Sequence, residues 1–473
     1  MNKLEEFLHE VIINQLNGVL WDLLIYVLVG SGIYFTLRGR LLQFRLFPEM
    51  FRVLKEEALV QDGKKGTSAF QAFSISVASR VGTGNLAGVA LAVAIGGPGA
   101  VFWMWLIALI GMATAFIESA LAQVYKIPDQ DGFRGGPAYY MEKALGQRWM
   151  GILFAVLITI TFGLVFNAVQ ANTISGAFDK AFNISPIITG IMLVILSALV
   201  IFGGIKRIAI VSGTIVPIMA VIYIAVGLLV AIMNITEIPR IFMDIIRHAF
   251  GLEQFVGGGV GAALMQGIKR GLFSNEAGMG SAPNAAATAG VSHPAKQGLV
   301  QSLAVFFDTI IICSITAFIV LLYENFASVK EDGIQLTQVA LSAHIGDWAT
   351  IFIAVTIFLF AFSSLVGNYY YGEANIDFIK YSPIMKFIYR MAVLLMVFFG
   401  SFASLQIVWD MADLFMALMA FTNLIAILLL GRIGFAILND YVKQRKLGKD
   451  PTFHVSNIPG LKNVEWWGNQ DKK

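Results

Sequence analysis

The sequence predicts an all-α polytopic membrane protein of about eleven transmembrane helices, arranged as a five-plus-five inverted repeat with broken first helices. Three observations predict this fold class. Hydrophobic residues make up 57% of the chain and charged residues only 13%. The apolar residues occur in runs of about twenty, which is the length that crosses a bilayer as a helix. A motif containing asparagine, alanine and glycine also occurs twice, at distant positions.

The apolar runs define the predicted spans, which are numbered here in chain order. The polar segment 1–17 does not have the basic and then apolar pattern of a cleavable signal, so we expect span 1 to remain as a helix. The spans are 18–37, 69–95, 99–126, 149–171, 186–204, 208–233, 257–288, 297–323, 348–371, 386–408 and 411–438.

Charge in the loops predicts the orientation. Basic residues are concentrated in the loop after span 1 and in the tail 439–473, whereas the 324–347 loop is mainly acidic. By the positive-inside rule, we expect segment 1–17 to be extracytoplasmic. Segment 18–67 consists of span 1 and the basic loop that follows it, and we expect this loop and the tail to be cytoplasmic. The net charge of +3 is explained by these inner loops, so we expect the lipid bilayer and no nucleic acid as a partner.

The repeated motif predicts the inversion. Residues 80–89, "RVGTGNLAGV", and 270–279, "RGLFSNEAGM", both fit R-x-x-x-x-N-x-A-G, and 115–119, "AFIES", matches 305–309, "VFFDT", at the same separation of 190 residues. Five spans separate the two copies, so the copies cross the membrane in opposite directions. We therefore expect one repeat over 68–233 and a second over 257–438.

Both copies of the motif indicate an interruption of the helix near the middle of the membrane. In "VGTGN", Gly82 and Gly84 allow the backbone to leave the helix and a ligand to approach its N–H groups. Irregular backbone at this depth is tolerated where it lines a cavity or is buried in protein. For Gly88, Gly278 and Gly280, close packing of helices is an equally good explanation.

Several polar or aromatic side chains in the spans are candidate ligands. Glu276 is costly in a membrane unless it is paired, hydrated or protonated, which favours contact with a ligand ammonium or a cation. Asn275 fits either a helix cap or a ligand contact. Gln170 fits either a ligand contact or a hydrogen bond between helices. Phe166 and Phe273 are cavity walls by position only.

Other charged residues in the spans indicate pairing between helices. Unpaired charges at this depth are unstable, so we expect pairs of opposite sign that act as structural contacts or as a gate latch. The residues are Arg80, Lys269, Arg270, Glu118 and Asp308.

Enzymatic chemistry is not indicated. The single cysteine, Cys313, lies in an apolar run, and the five histidines map to loops or termini, which gives no thiolate metal site and no histidine proton relay. Motifs of hydrolases and phosphate-binding loops are absent from the sequence. A channel and a membrane-embedded enzyme remain as rival classes, although the broken inverted repeat favours a carrier.

Four segments carry a resemblance to a known family: "ASRVGTGNLAGVALAVAIGGPGAVFWMW", "FRGGPAYYMEKALG", "GGIKRIAIVSGTIVP" and "GLFSNEAGMGSAPNAAATA". They resemble the alanine or glycine:cation symporter family, the sodium-coupled alanine carriers of bacteria and archaea. The resemblance implies a leucine-transporter-like core made of spans 2–6 and 7–11, with span 1 as an addition. It also implies sodium-driven import of small neutral amino acids, alanine or glycine, across a prokaryotic cytoplasmic membrane, with a proton-coupled carrier as the alternative.

The resemblance implies a substrate site at the first break. "VGTGN" is similar to the segment whose backbone amides take the substrate carboxylate in that fold, which assigns Thr83 and Gly84 to the carboxylate and places Asn85 beside them. With the candidates above, the predicted substrate-binding residues are Thr83, Gly84, Asn85, Phe166, Gln170, Phe273, Ser274, Asn275 and Glu276.

The resemblance also implies a sodium site. Ser363 and Ser364 are adjacent in span 9, and by themselves they predict only ordinary hydrogen bonds to carbonyls one turn earlier. In the leucine-transporter-like fold, the corresponding helix carries a hydroxyl pair beside the first break. The implied sodium ligands are the two serine hydroxyls and the carbonyls of Ala78, Val81 and Phe360.

Overall fold

The computed structural model describes residues 15–61, 64–129, 132–203, 205–251 and 259–467. Residues 1–14 of the predicted extracytoplasmic segment and 468–473 of the predicted tail lie outside the described residues, as does the beginning of span 7. The division into two repeats and the orientation of the termini remain predictions.

A helix lies on each predicted span. Span 1 is Gln15–Arg38; span 2 is Ala69–Arg80, Gly84–Gly88 and Val89–Gly96; span 3 is Gly99–Val124; span 4 is Arg148–Ile160, Thr161–Phe166 and Asn167–Phe182; span 5 is Pro186–Ile201; span 6 is Ile205–Met233; span 7 is Val260–Asn275 and Ala282–Ala287; span 8 is Pro294–Val305, Phe306–Cys313 and Ser314–Leu321; span 9 is Trp348–Ile379; span 10 is Pro383–Phe402; span 11 is Leu405–Lys446.

The lengths and composition of these helices confirm a polytopic all-α membrane fold. Among the described residues, seven helices are long and apolar enough to cross a membrane, and two bent pairs raise the number to nine. One pair is span 2, bent by 53°, and the other joins the end of span 6 to Ile238–Ala249 at 101°. Span 5 is shorter, and span 7 is divided into two pieces.

The predicted end of span 10 at residue 408 is wrong. The helix ends at Phe402, and the next begins at Leu405. Ser404 is extended, and its hydroxyl accepts a hydrogen bond from the backbone N–H of Ile407 at 3.4 Å, which caps the new helix. Apolar side chains continue across this turn, so hydropathy did not reveal it.

The structure contains both predicted breaks. Span 2 leaves the helix at Val81, whose ψ is 99°. Span 7 leaves it at Glu276, which has a φ of 57°, and Gly278 and Gly280 follow with φ of 91° and 86°. Gly278 and Gly280 therefore allow a backbone conformation that other residues rarely adopt. Gly88, in contrast, has a helical φ of −64° and is a close-packing position beside Trp409.

The helix Val260–Asn275, before the second break, packs against Gly84–Gly88 and Val89–Gly96, after the first break, so the two breaks are neighbours. Span 3 packs along spans 7 and 8, and span 4 packs along spans 9 and 10.

The connections between the spans contain further short elements. These are the helices Leu42–Arg45, Phe47–Leu54, Pro137–Lys143, Ile238–Ala249 and Gly333–Ile345, the 3-10 turn Val455–Asn457, and the antiparallel pairs Val60–Gln61 with Lys64–Lys65 and Ile127–Pro128 with Phe133–Arg134.

The tail folds back on the end of the bundle that carries the basic loops. The backbone N–H of Phe453 donates to the carbonyl of Ser292 at 2.9 Å, and the indole N–H of Trp467 donates to the carbonyl of Gln123 at 2.9 Å. The predicted tail is thus an ordered part of the fold as far as Trp467.

Candidate binding site at the two helix breaks

The first break is held by span 4. The backbone N–H and the hydroxyl of Thr83 both donate to Oε1 of Gln170, at 3.2 and 2.8 Å. Both side chains are buried. The sequence left open whether Gln170 contacts a ligand or forms a hydrogen bond between helices, and the structure shows the hydrogen bond between helices. The same two donors would suit a carboxylate oxygen, which accepts such bonds more strongly than an amide oxygen does.

The first break is connected to the second by buried polar groups. The amide of Asn85 donates to the hydroxyl of Ser274 at 3.0 Å and to Oδ1 of Asp308 at 2.7 Å. The hydroxyl of Ser274 donates to the other oxygen of Asp308 at 2.7 Å, and Thr309 does the same at 2.9 Å. Asp308, from span 8, thus fixes the polar side chains of both breaks.

Aromatic side chains form one wall of the site. The rings of Phe166 and Phe273 are 4.5 Å apart, and Phe273 is 4.7 Å from the ring of Trp409. A Cβ at Gly84 would lie 3.0 Å from Cδ1 of Phe273 and 3.1 Å from Cα of Ser274. The backbone at Gly84 therefore meets the second break directly, with space for little more than a hydrogen.

Glu276 and Asn275 make their hydrogen bonds within the second break. The hydroxyl of Ser281 donates to Oε2 of Glu276, and the backbone N–H of Ala277 donates to Oδ1 of Asn275 at 3.0 Å. Nδ2 of Asn275 is buried without a hydrogen-bond partner. Asn275 therefore caps the break itself and keeps two donor hydrogens for another group.

The serine pair converges on the first break. The hydroxyl of Ser364 lies 3.2 Å from the carbonyl oxygen of Ala78, 3.4 Å from that of Val81 and 3.0 Å from that of Phe360. The hydroxyl of Ser363 lies 3.4 Å from the carbonyl oxygen of Ala78 and 2.8 Å from that of Phe360. The oxygen atoms predicted to bind sodium therefore lie together.

Among the described residues, the expected pairing with an opposite charge holds for Lys269 and Arg270 and fails for Arg80, Glu118 and Asp308. Glu118 and Asp308 accept hydrogen bonds from neutral groups instead. Arg270 pairs with Asp413 at 2.6 Å, and Lys269 lies 3.2 Å from the same carboxylate. All three guanidinium nitrogens of Arg80 are buried without a hydrogen-bond partner. The charge of Arg80 acts on the carboxyl groups of Glu118 in span 3, Glu276 at the second break and Asp308 in span 8 only from a longer distance.

Sequence reasoning missed three residues that contact the candidate site. Asp413 and Trp409 hold Arg270 by an ion pair and by a ring 4.4 Å from the guanidinium carbon. Asn423 donates to Glu118 at 2.8 Å and to the carbonyl of Gly278 at 2.9 Å. Asp413 and Asn423 are polar residues inside span 11, and that unusual position was the available signal.

The site offers the chemistry of reversible binding. It provides backbone N–H groups and carbonyls freed by the breaks, several hydroxyls, and the buried carboxylates of Glu276 and Asp308. The described residues contain no group of three or more histidine, cysteine or acidic side chains that could hold a metal ion. Hard oxygen ligands without an imidazole or thiolate suit an alkali cation better than a transition metal.

Comparisons with known proteins agree with this chemistry. The sequence profile of the sodium:alanine symporter family matches residues 5–455. The amino-acid carrier protein AlsT of Bacillus subtilis is 58% identical over 470 residues, covering 99% of this chain and 100% of AlsT. The probable sodium/glutamine symporter GlnT of the same organism is 54% identical over 465 residues, covering 98% of this chain and 97% of GlnT.

A solved structure shares the fold. The manganese transporter of Eremococcus coleocola aligns with a TM-score of 0.53 at 11% identity, covering 81% of this chain and 88% of that chain. This similarity concerns the fold alone, whereas the family match and the relatives extend over nearly the whole sequence. The chain therefore belongs to the sodium:alanine symporter family, and it is an amino-acid symporter and not an enzyme.

Proposed function

We propose that this symporter imports alanine and glycine together with sodium, by alternating access to a site between the two helix breaks. The single observation that carries this proposal is the convergence at the first break. On one side Thr83 presents two donors, and on the other side Ser364 meets three backbone carbonyls. A zwitterion and a hard cation need these two kinds of group, close together.

The carboxylate binds at Thr83 and Gly84 in this proposal. Oε1 of Gln170 accepts from both donors of Thr83, so this position already suits an acceptor oxygen. A substrate carboxylate replaces that amide oxygen and gains charge-assisted hydrogen bonds. The ammonium is received by the second break, where Glu276 supplies a carboxylate.

The aromatic wall favours a small side chain. Phe273 lies directly beside Gly84 and is in ring contact with Phe166 and Trp409, which leaves little room for a long side chain. This observation supports alanine and glycine over glutamine. The preference is limited in size, because one methylene in a pocket is worth about 1–3 kcal/mol.

Sodium binds among the carbonyl oxygens of Ala78, Val81 and Phe360 and the hydroxyls of Ser363 and Ser364. The hydroxyl hydrogens rotate away from the carbonyls so that all five oxygens can face the ion. Because two of the oxygens, the carbonyls of Ala78 and Val81, belong to or adjoin the first break, the ion stabilises the backbone geometry that binds the carboxylate. This shared backbone couples sodium to substrate.

Access from one side is controlled by the ion pair of Arg270 and Asp413. Arg270 lies about one turn before Phe273 in span 7, and Trp409 covers both. The pair is almost fully buried, so it closes the site on that side. Separation of spans 7 and 11 at this pair opens the site to the side of the acidic 324–347 loop.

Transport by the purified protein in liposomes tests the proposal. An inward sodium gradient should drive saturable uptake of labelled alanine, with strong competition by glycine and weak competition by glutamine. Gly84→Val should abolish uptake, because its side chain would overlap Phe273 and Ser274. Gly30→Val is the matched control, because no atom lies within 4 Å of its Cβ position, and it should transport normally.

Other outcomes would reject the proposal. Equal uptake on a proton gradient without sodium would indicate a proton-coupled carrier. A large conductance without saturation would indicate a channel. Stronger competition by glutamine than by glycine would reject the small substrate while leaving sodium symport intact.

A further inference from the structure

A polar cavity lies away from the helix breaks. Its volume is about 310 Å³, and it is lined by the ends of spans 5, 9 and 10 and by Asp129 and Arg134, next to the antiparallel pair Ile127–Pro128 with Phe133–Arg134. Cavities of about this size accept a small ligand or a headgroup. Its charged lining residues are Asp129, Arg134, Glu373, Asp377, Lys386 and Arg390.

The charges of this lining balance. Nη2 of Arg390 lies 2.8 Å from Oε1 of Glu373, and Nζ of Lys386 lies 2.8 Å from Oδ2 of Asp377. The remaining positive charge, on Arg134, is matched by the carboxylate of Asp129 at 2.8 Å. The other oxygen of Asp377 is buried without a hydrogen-bond partner. A cavity lining with no net charge and one unused acceptor oxygen suits a ligand that carries a positive and a negative charge better than it suits an anion.

The cavity does not belong to the transport site. Glu373 and Asp377 line it from one face of span 9. Tyr371 and Asn375 lie on the other face, where Asn375 donates to Oδ1 of Asn284 next to the second break at 3.1 Å. The cavity and the proposed substrate path are therefore on opposite sides of the same helix.

Its depth corresponds to the headgroup layer. Glu373 and Asp377 follow Ser364 by nine and thirteen residues in one continuous helix, which at about 1.5 Å per residue is about 13 and 20 Å. The hydrocarbon core of a bilayer extends about 15 Å from its centre. With the break near the centre, the two carboxylates lie at the boundary between acyl chains and headgroups.

The rim of the cavity is apolar and exposed. The ring of Phe202 lies 5.7 Å from the guanidinium carbon of Arg390, and the ring of Tyr381 lies 4.9 Å from Nζ of Lys386. Phe202, Tyr381 and the adjacent Ile384 are 50%, 70% and 72% exposed. Such a rim is the surface on which acyl chains pack, with an aromatic residue at the interface.

We propose that this cavity binds the headgroup of a phospholipid that carries both a phosphate and a primary amine. The phosphate lies against Lys386 and Arg390, which supply charge-assisted donors. The amine lies against Asp377 and Glu373 and donates to the unused carboxylate oxygen. The acyl chains leave over the rim. This proposal concerns a site outside the transport path and does not depend on the identity of the transported amino acid.

Lipid binding to the purified full-length chain tests this proposal. Native mass spectrometry in detergent, with titration of phosphatidylethanolamine, phosphatidylcholine and phosphatidylglycerol, should give at least tenfold tighter binding of phosphatidylethanolamine. Lys386→Gln and Asp377→Asn should each weaken that binding at least tenfold. The matched control is Lys180→Gln, which removes a lysine from an ion pair of 2.8 Å with Glu331 at the opposite end of the molecule and should leave binding unchanged.

Four results would overturn the proposal. Equal binding of phosphatidylglycerol would mean that the phosphate alone is recognised. Displacement of the lipid by soluble phosphoethanolamine or by alanine at equal concentration would indicate a site for a soluble ligand. Retained selectivity in both variants would place the lipid elsewhere. If a variant does not fold, the comparison with phosphatidylcholine on the unaltered chain still tests the proposal. The trimethylated headgroup of phosphatidylcholine keeps both charges, but its ammonium cannot donate hydrogen bonds. Equal binding of phosphatidylcholine and phosphatidylethanolamine would therefore reject the proposal.

Discussion

Gly82→Ala is the substitution that acts on both proposed ligand sites at once. A Cβ at Gly82 would lie 2.6 Å from Oγ of Ser364 and 3.1 Å from Oε1 of Gln170. Ordinary contact begins at 3.4 Å, so the serine oxygen must retreat by about 0.8 Å and the glutamine oxygen by about 0.3 Å. The sodium site should therefore suffer more than the carboxylate site.

The expected size of the effect follows from the cost of overpacking. Adding a methyl group to a well-packed site costs about 1–3 kcal/mol. Because 1.4 kcal/mol corresponds to tenfold in affinity, the sodium concentration for half-maximal uptake should rise about tenfold or more. The alanine concentration for half-maximal uptake should rise by a smaller factor, since the displacement of Gln170 is smaller.

The assay is uptake by proteoliposomes at graded sodium with fixed alanine, and then at graded alanine with saturating sodium. Gly18→Ala is the matched control, because no atom lies within 4 Å of its Cβ position. The melting temperature of each variant shows whether it is folded. A folded Gly82→Ala protein with the parent's sodium dependence, or with a larger change for alanine than for sodium, would refute this account of the site.

Three further predictions concern the sodium site, the topology and His293, which lies between spans 7 and 8. The double change Ser363→Ala and Ser364→Ala removes two oxygens with little change in packing and should raise the sodium concentration for half-maximal uptake tenfold or more; an unchanged sodium dependence would place the ion elsewhere. A cysteine at Lys330 should react with impermeant thiol reagents from outside and one at Lys64 should not, and the reverse pattern would overturn the orientation. Burial lowers the pKa of His293 below its ordinary 6.5, so the unfolded chain takes up the proton first as the pH falls. The melting temperature should therefore fall from pH 7 to pH 5 more steeply in the parent than in His293→Gln, and parallel curves would contradict this.

The positions of the breaks were predictable because the signal is local. Gly82 and Gly84 flank a threonine inside an apolar run, and the same pattern returns near Glu276. Backbone that leaves a helix in a membrane needs such residues, whatever the surrounding fold. The end of span 10 was missed because the cap at Ser404 is a single hydroxyl inside a mainly apolar sequence.

The partners of the polar side chains were much less predictable. Arg270 was expected to find a carboxylate, but nothing local in the sequence distinguishes Asp413 from Glu118 or Asp308. Arg80 occupies the matching position in the first copy of the motif and yet has no hydrogen-bond partner among the described residues. The two copies of the motif share residue types, but their backbones differ, since Gly88 has a φ of −64° and the matching Gly278 has a φ of 91°. Their neighbours also come from different helices.

The sequence by itself determined the membrane class, the span positions and the two breaks, because hydrophobicity, helix length and glycine conformation are properties of short segments. Only the tertiary structure decided that Thr83 meets Gln170, that Ser364 meets the carbonyls of Ala78 and Val81, and that Phe273 meets Trp409. These contacts join residues far apart in the chain. Their distances are set by how whole helices pack, and a difference of one ångström separates a hydrogen bond from no bond at all.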